Sequence, residues 1–335
     1  MPRFRVAVTD FIADDLRPER ERLADLADVT AYDAISESDL QGKIESADAI
    51  MLYHNIGISK ATISKLTNCK LIVRCGVGYD NVDWAFARER SIPVANVPDY
   101  GTEEVADSAI GLMLSLTRGI NAYNRRLQRS VGPWMYTPEG PLYRLRGRVF
   151  GIIGLGCIGT AAAMRAKALG MDVAFYDPYK ADGFDKALGI RRVEKLDDLL
   201  KQCFVLSVHC PATPETKHIV DARAIRLMPR GSFLVNTGRG ITVDAAAIPE
   251  AIASGQLAGA GIDVLPEEPP PEDHPLLVAW RDPKHLAHER VIVNPHAAFY
   301  SEEGLLDMRH KGAEACRRAL LGEPLRNIVN GVGLK

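Results

Sequence analysis

The sequence predicts an α/β chain built on two parallel sheets. Three observations carry that expectation. Short apolar runs alternate with helical stretches along nearly the whole chain. One of those runs, Val149-Phe150-Gly151-Ile152-Ile153, leads directly into the glycine turn Gly154-Leu155-Gly156-Cys157-Ile158-Gly159 and then a helix. At 335 residues and 47% hydrophobic content, the chain is long enough to fill two cores.

The first unit starts with the strand Arg5-Val6-Ala7-Val8-Thr9-Asp10 and a polar helix from Pro18 to Leu26. Strands follow at Val29–Tyr32, Ala49–Tyr53, Leu71–Arg74 and Ile92–Val97, with helices at Ser38–Ile44, Lys60–Leu66 and Trp84–Arg90 between them. This is a parallel unit of the flavodoxin type, which places ligands at the C-terminal ends of its strands. Two such ends stand out: Tyr53-His54-Asn55, and Cys75 to Asn81, where Gly76 and Gly78 free the backbone N–H groups of the turn to face an anion. Thr102 then reads as the N-cap of a long helix, with Val105, Ala109, Leu112, Leu116 and Ile120 on one face. The segment from Ser130 to Gly147, with Gly132, Pro133, Trp134, Pro138 and Pro141, reads as a loop.

The second unit reads as a Rossmann-like dinucleotide site. Gly154 allows a tight turn, Gly156 lets a pyrophosphate approach the backbone, and Gly159 lets the helix pack on the strand. The helix N-terminus, through Cys157 and Ile158, offers unpaired N–H groups to the phosphates. Asp177 ends the next strand 21 residues after Gly156, where a carboxylate accepts both ribose hydroxyls. A 2′-phosphate there meets a like charge, so NAD is favoured over NADP. Later strand ends at His209-Cys210-Pro211, with Thr216 beyond, at Thr237-Gly238-Arg239 and at His296 lie on the same edge and are candidate coenzyme contacts.

Three strand ends in this unit each deliver a chemically useful side chain: Arg239, Glu268 and His296. Hydride transfer to a ketone leaves an alkoxide that must be protonated, and histidine does this near neutral pH. A carboxylate on the other ring nitrogen fixes the tautomer. Arginine grips a carboxylate with two parallel hydrogen bonds.

Net charge is −2, which argues against nucleic acid as a partner. No apolar run of about 18 residues suggests a membrane span, and the N-terminus lacks a signal-peptide pattern. Six scattered cysteines without CxxC spacing read as reduced thiols of a cytoplasmic protein. His285 and His288 are not in zinc-protease order, and no metal is expected.

Gly76 to Asp83, Gly154 to Gly159, Leu234 to Gly240, Gly261 to Val264 through Glu268-Pro269, and Asn294 to Ala298 together resemble the D-isomer-specific 2-hydroxyacid dehydrogenase family, in the family's order. The resemblance implies a discontinuous substrate domain, residues 1–100 and 297–335, with the coenzyme domain, residues 101–296, inserted into it. It implies Arg239 as carboxylate and carbonyl binder, His296 as general acid and base, and Glu268 as its partner. It implies substrate binding by backbone N–H groups around Gly76, Val77 and Gly78, coenzyme contact by Thr102, and Asp263 near the nicotinamide carboxamide. The pocket walls are expected to include Tyr53, His54, Tyr100 and Phe299. Family members are usually dimers through the coenzyme domain, so a homodimer is expected.

Within the family, Leu52-Tyr53-His54, Glu103 to Ser108, Phe175 to Tyr179 and His296 to Glu303 are most similar to the C-terminal binding protein branch. That branch has tryptophan where this chain has Phe299. With Lys335 as the last residue of the sequence, neither a long tail nor the regulatory domain of longer phosphoglycerate dehydrogenases is expected. The leading expectation is an enzyme that interconverts a small 2-oxo acid and the D-2-hydroxy acid. The alternative is an NAD-sensing scaffold with little turnover.

Overall fold

The structure is a computed structural model that describes residues 3–136 and 141–333. Residues 137–140, including Pro138 of the expected loop, lie outside the described residues, as do the first two and the last two. The chain divides into two compact units, residues 1–101 with 300–335 and residues 102–299.

The smaller unit is a five-stranded parallel sheet in the order β2-β1-β3-β4-β5, formed by β1 (Phe4–Val8), β2 (Ala27–Ala31), β3 (Ala49–Leu52), β4 (Leu71–Arg74) and β5 (Val94–Asn96). Every residue of β3 and β4 is buried, as expected for central strands covered on both faces. One of those covers comes from the far end of the chain: the Glu302–Leu321 helix packs on β3 and β4. Buried Arg309 ties it to the Arg17–Leu23 helix through Glu19, at 2.7 Å, and to Asp14, at 2.6 Å. Asn330 then locks onto β5, accepting from Val94 N and donating to Ile92 O. The helix expected at Ser38–Ile44 is only a short 3-10 turn, Glu37–Leu40. The Ser36/Asp39 capping box winds it, and Gly42, at φ +76°, lies just beyond its end.

The larger unit is a seven-stranded parallel sheet in the order β12-β11-β10-β9-β6-β7-β8. Its strands are β6 (Val149–Ile153), β7 (Asp172–Tyr176), β8 (Arg191–Arg192), β9 (Val205–Val208), β10 (Ser232–Asn236), β11 (Leu257–Ile262) and β12 (Val291–Val293). The strand order reverses between β6 and β9, and the glycine turn sits at that switch point. The helix after Thr102 does not run through to Ile120. Gly119, at φ +65°, breaks it into Thr102–Thr117 and Ile120–Arg129.

Ala297, Ala298 and Phe299 belong to the larger unit, three residues past the expected boundary. Their backbone is held there: the Asp263 carboxylate accepts from the N–H groups of Ala297 and Ala298, and Ser108 Oγ donates to the Ala298 carbonyl. Among the described residues no helix is long and apolar enough to cross a membrane.

Candidate active site

The glycine turn fits a dinucleotide on steric grounds. Gly154 has φ +89°, and a β-carbon there would lie 2.7 Å from Cys210 N. A β-carbon on Gly159 would lie 2.2 Å from the Gly154 carbonyl, so the helix that starts at Cys157 closes tightly on the turn. Gly156, by contrast, faces open space, with no atom within 4 Å of its β-carbon position. That is room for a phosphate beside the first-turn N–H groups. Asp177 stands at the end of β7, and its two oxygens accept from Leu155 N at 2.8 Å and Tyr179 N at 3.0 Å. These bonds fix the carboxylate against the turn. The buried hydroxyls of Thr102 and Thr237 have no hydrogen-bond partner among the described residues, as groups waiting for a ligand do. Thr102 is the first helical residue rather than the expected N-cap.

His209 sits beneath the turn, with its β-carbon 3.5 Å from the Gly159 β-carbon position. Burial pushes its pKa down to about 4, so the ring is neutral and packs the turn rather than countering phosphate charge. Its Nε2 pairs with Ser207 Oγ at 2.8 Å. Thr216 donates to the Pro211 carbonyl at 2.6 Å and so shapes the loop after β9. Replacing Asp177 with alanine is expected to weaken NADH binding about tenfold and to narrow the gap to NADPH. Fluorescence titration with both coenzymes checks this, and an unchanged preference contradicts the ribose assignment.

Arg239, Glu268 and His296 follow three adjacent strands, β10, β11 and β12. His296 Nδ1 lies 2.6 Å from Glu268 Oε2, and the other Glu268 oxygen accepts from Leu265 N at 2.9 Å. Burial raises the Glu268 carboxyl, but the His296 hydrogen bond and charge, the Leu265 N–H and the Arg239 charge outweigh it and hold it below the usual range. The His296 backbone has φ +52°, a conformation costly for a non-glycine residue. Asp263 holds it there. Its carbonyl accepts from His296 N at 2.8 Å, and its carboxylate, 2% exposed, takes the next two N–H groups. Burial pushes the Asp263 carboxyl up, partly offset by those N–H bonds. Asp263, expected near the nicotinamide carboxamide, also anchors the His296 loop.

Asn236 shapes the Arg239 turn, accepting from Gly238 N and donating to the Arg239 carbonyl, both at 3.1 Å. Gly240 must be glycine, because a β-carbon would meet the Leu265 carbonyl carbon at 1.9 Å. The Phe299 ring stands edge-on to His296, centroids 6.1 Å apart.

In the smaller unit the expected substrate contacts divide. Gly76 has φ +151°, and the N–H groups of Val77 and Gly78 make no hydrogen bond within the described residues. His54 and Tyr100 are half-buried. Tyr53 does not fit the expectation. Its side chain is fully buried, and its hydroxyl faces Glu19 beneath the sheet edge, so it is a core residue rather than a pocket wall. The sequence reading missed Arg74, which ends the apolar run Leu71-Ile72-Val73. Its guanidinium lies across Gly76, with Nη1 1.4 Å from that residue's β-carbon position, and donates to the Cys75 carbonyl. An arginine closing an otherwise apolar central strand was the available signal. His288, weighed as a metal ligand, instead pairs through Nδ1 with the Trp280 carbonyl at 2.8 Å.

Residues 110–298 match the family described as D-isomer specific 2-hydroxyacid dehydrogenase, NAD binding domain. The D-3-phosphoglycerate dehydrogenase of Methanocaldococcus jannaschii is 33% identical over 326 residues, 97% of this chain, and this chain spans 59% of that protein's length. The glyoxylate reductase of Korarchaeum cryptofilum is 35% identical over 289 residues, 86% of this chain and 84% of that one. Among solved structures, D-lactate dehydrogenase from Aquifex aeolicus, complexed with NAD and lactic acid, superposes with a TM-score of 0.85 at 28% identity. That likeness covers 95% of this chain and 96% of the other.

Proposed function

Because this chain belongs to the D-isomer specific 2-hydroxyacid dehydrogenase family, we propose that it interconverts a small 2-oxo acid and the corresponding D-2-hydroxy acid with NAD as coenzyme. The observation that carries the reading is the 2.6 Å contact between His296 Nδ1 and Glu268 Oε2, with Arg239 on the neighbouring strand end. NADH, when bound, supplies the hydride to the carbonyl carbon. Gly154, Gly156 and Gly159, the first-turn N–H groups of Cys157 and Ile158, Asp177, and the hydroxyls of Thr102 and Thr237 are the groups proposed to hold it. Glu268 fixes the His296 ring with its proton on Nδ1, and Nε2 is the nitrogen that protonates the developing alkoxide. Arg239 clamps the substrate carboxylate.

The test is product stereochemistry. The protein is incubated with NADH and a 2-oxo acid, and the hydroxy acid is resolved by chiral chromatography. The D product is expected, and an L product overturns the reading.

Within the family we place the chain nearest the C-terminal binding protein branch, on the four segments noted above. An NAD-sensing scaffold of that kind would keep the same side chains, so measured turnover is what separates the two readings. We also propose a homodimer. The Ile120–Arg129 helix has no buried residue, and Ile120, Trp134, Met135 and Tyr136 near it are exposed. Sedimentation at twice the monomer mass is expected, and a monomer at micromolar concentration contradicts it. The unpaired cysteines, Cys157 exposed among them, suit a reducing cytoplasm.

A further inference from the structure

Phe11 follows β1 and was assigned no role from the sequence. Its backbone has φ +68°, and the Ile12 N–H donates to the Asp10 carbonyl at 2.8 Å. A two-residue hydrogen bond around a positive φ is the rare, strained sense of the three-residue turn. An aromatic side chain is poorly suited to that conformation, which glycine or asparagine takes more easily.

The strain has a visible geometric result. The Phe11 ring lies 4.3 Å from the His54 ring and 5.7 Å from the Tyr53 ring. Tyr53 is buried beneath, while Phe11 and His54 remain half-buried at the ligand-facing ends of β1 and β3. One carboxylate clamps the two strand ends together. Asp10, wholly buried, accepts from Tyr53 N at 2.9 Å and Asn55 N at 2.8 Å. Asn81 pins the same loop by donating to the carbonyls of Tyr53 and Ile56. Strain held in place by a buried clamp marks positions where a fixed side-chain orientation is used.

We propose that Phe11, packed at a tilt against His54, is the wall that selects the substrate side chain, and that it favours 2-oxo acids with a flat, apolar side chain. This rests on the dehydrogenase reading above. The aromatic face offers stacking.

The experiment compares phenylpyruvate with pyruvate in two readouts. One is kcat/KM with NADH. The other is the dissociation constant of each acid from the NAD⁺-loaded protein, where no reduction follows. Phe11→Gly removes the ring and accepts the backbone conformation. Phe11→Asn does the same with a different side chain, and Phe11→Tyr restores the ring. The wild type is expected to favour phenylpyruvate. Both ring-deleting variants should lose about ten- to thirtyfold on phenylpyruvate and no more than about threefold on pyruvate, in both readouts. Phe11→Tyr should keep the preference. Equal losses on the two acids, or a wild type that favours pyruvate, overturn the proposal. Selective binding with no turnover of either acid supports the wall and overturns the dehydrogenase reading. Absence of binding by either acid overturns both.

Discussion

Replacing His296 with alanine is expected to lower kcat by about 10²–10⁴-fold and to leave NADH affinity within about threefold. The size follows from the role. Without a positioned acid, the alkoxide left by hydride transfer must take its proton from water. The groups proposed to hold the coenzyme lie elsewhere, on the glycine turn, at Thr102 and at the ends of β7 and β10, so binding is expected to survive. The backbone at His296 complicates a single substitution. Its φ of +52° is costly for alanine, and the loop could relax. Asparagine tolerates that conformation, so His296→Asn separates chemistry from strain. Both variants should lose activity to a similar extent. If His296→Asn retains turnover while His296→Ala does not, the residue serves the loop and not the proton.

Replacing Arg239 with glutamine is expected to lower kcat/KM by about 10²–10³-fold, the scale seen when one donor to a developing charge is removed. Glutamine keeps hydrogen-bonding capacity but loses the charge and the two-pronged grip. The substitution also has a pH consequence with a defined sign. The Arg239 charge is one of the groups that hold the Glu268 carboxyl down, acting against burial, which raises it. Removing it lets Glu268 take up a proton at a higher pH. The acid side of the activity profile should therefore fall off earlier in Arg239→Gln than in the wild type. A pH–rate profile in which the two acid limbs coincide contradicts the proposed electrostatic link.

Much of the framework was legible because it depends on local pattern. Strand, glycine turn and helix lie within about twenty residues, and steric contacts at Gly154 and Gly159 leave few side-chain choices. That Arg239, Glu268 and His296 follow adjacent strands was legible because a parallel sheet brings the C-terminal ends of its strands to one edge. What was missed depends on distant partners. Tyr53 sits at a strand end like His54, but its hydroxyl faces Glu19, and Glu19 is buried because Arg309, 290 positions later, bonds to it. No local period reports that. The anchoring of the His296 loop by Asp263 likewise depends on Ala297 and Ala298, more than thirty positions away. β8 is two arginines, with no apolar signal to find. The strained turn at Phe11 has no glycine or asparagine to announce it.

The most direct test of the central claim follows NADH oxidation with the wild-type protein against glyoxylate, hydroxypyruvate, pyruvate, phenylpyruvate and a thioether-bearing 2-oxo acid. NADH affinity is determined on the same preparation. The account predicts saturable turnover of at least one member, at about 1 s⁻¹ or faster, with NADH preferred to NADPH. Tight NADH binding with no turnover across the whole panel would contradict it, and would leave a coenzyme-sensing scaffold as the better reading of the same residues.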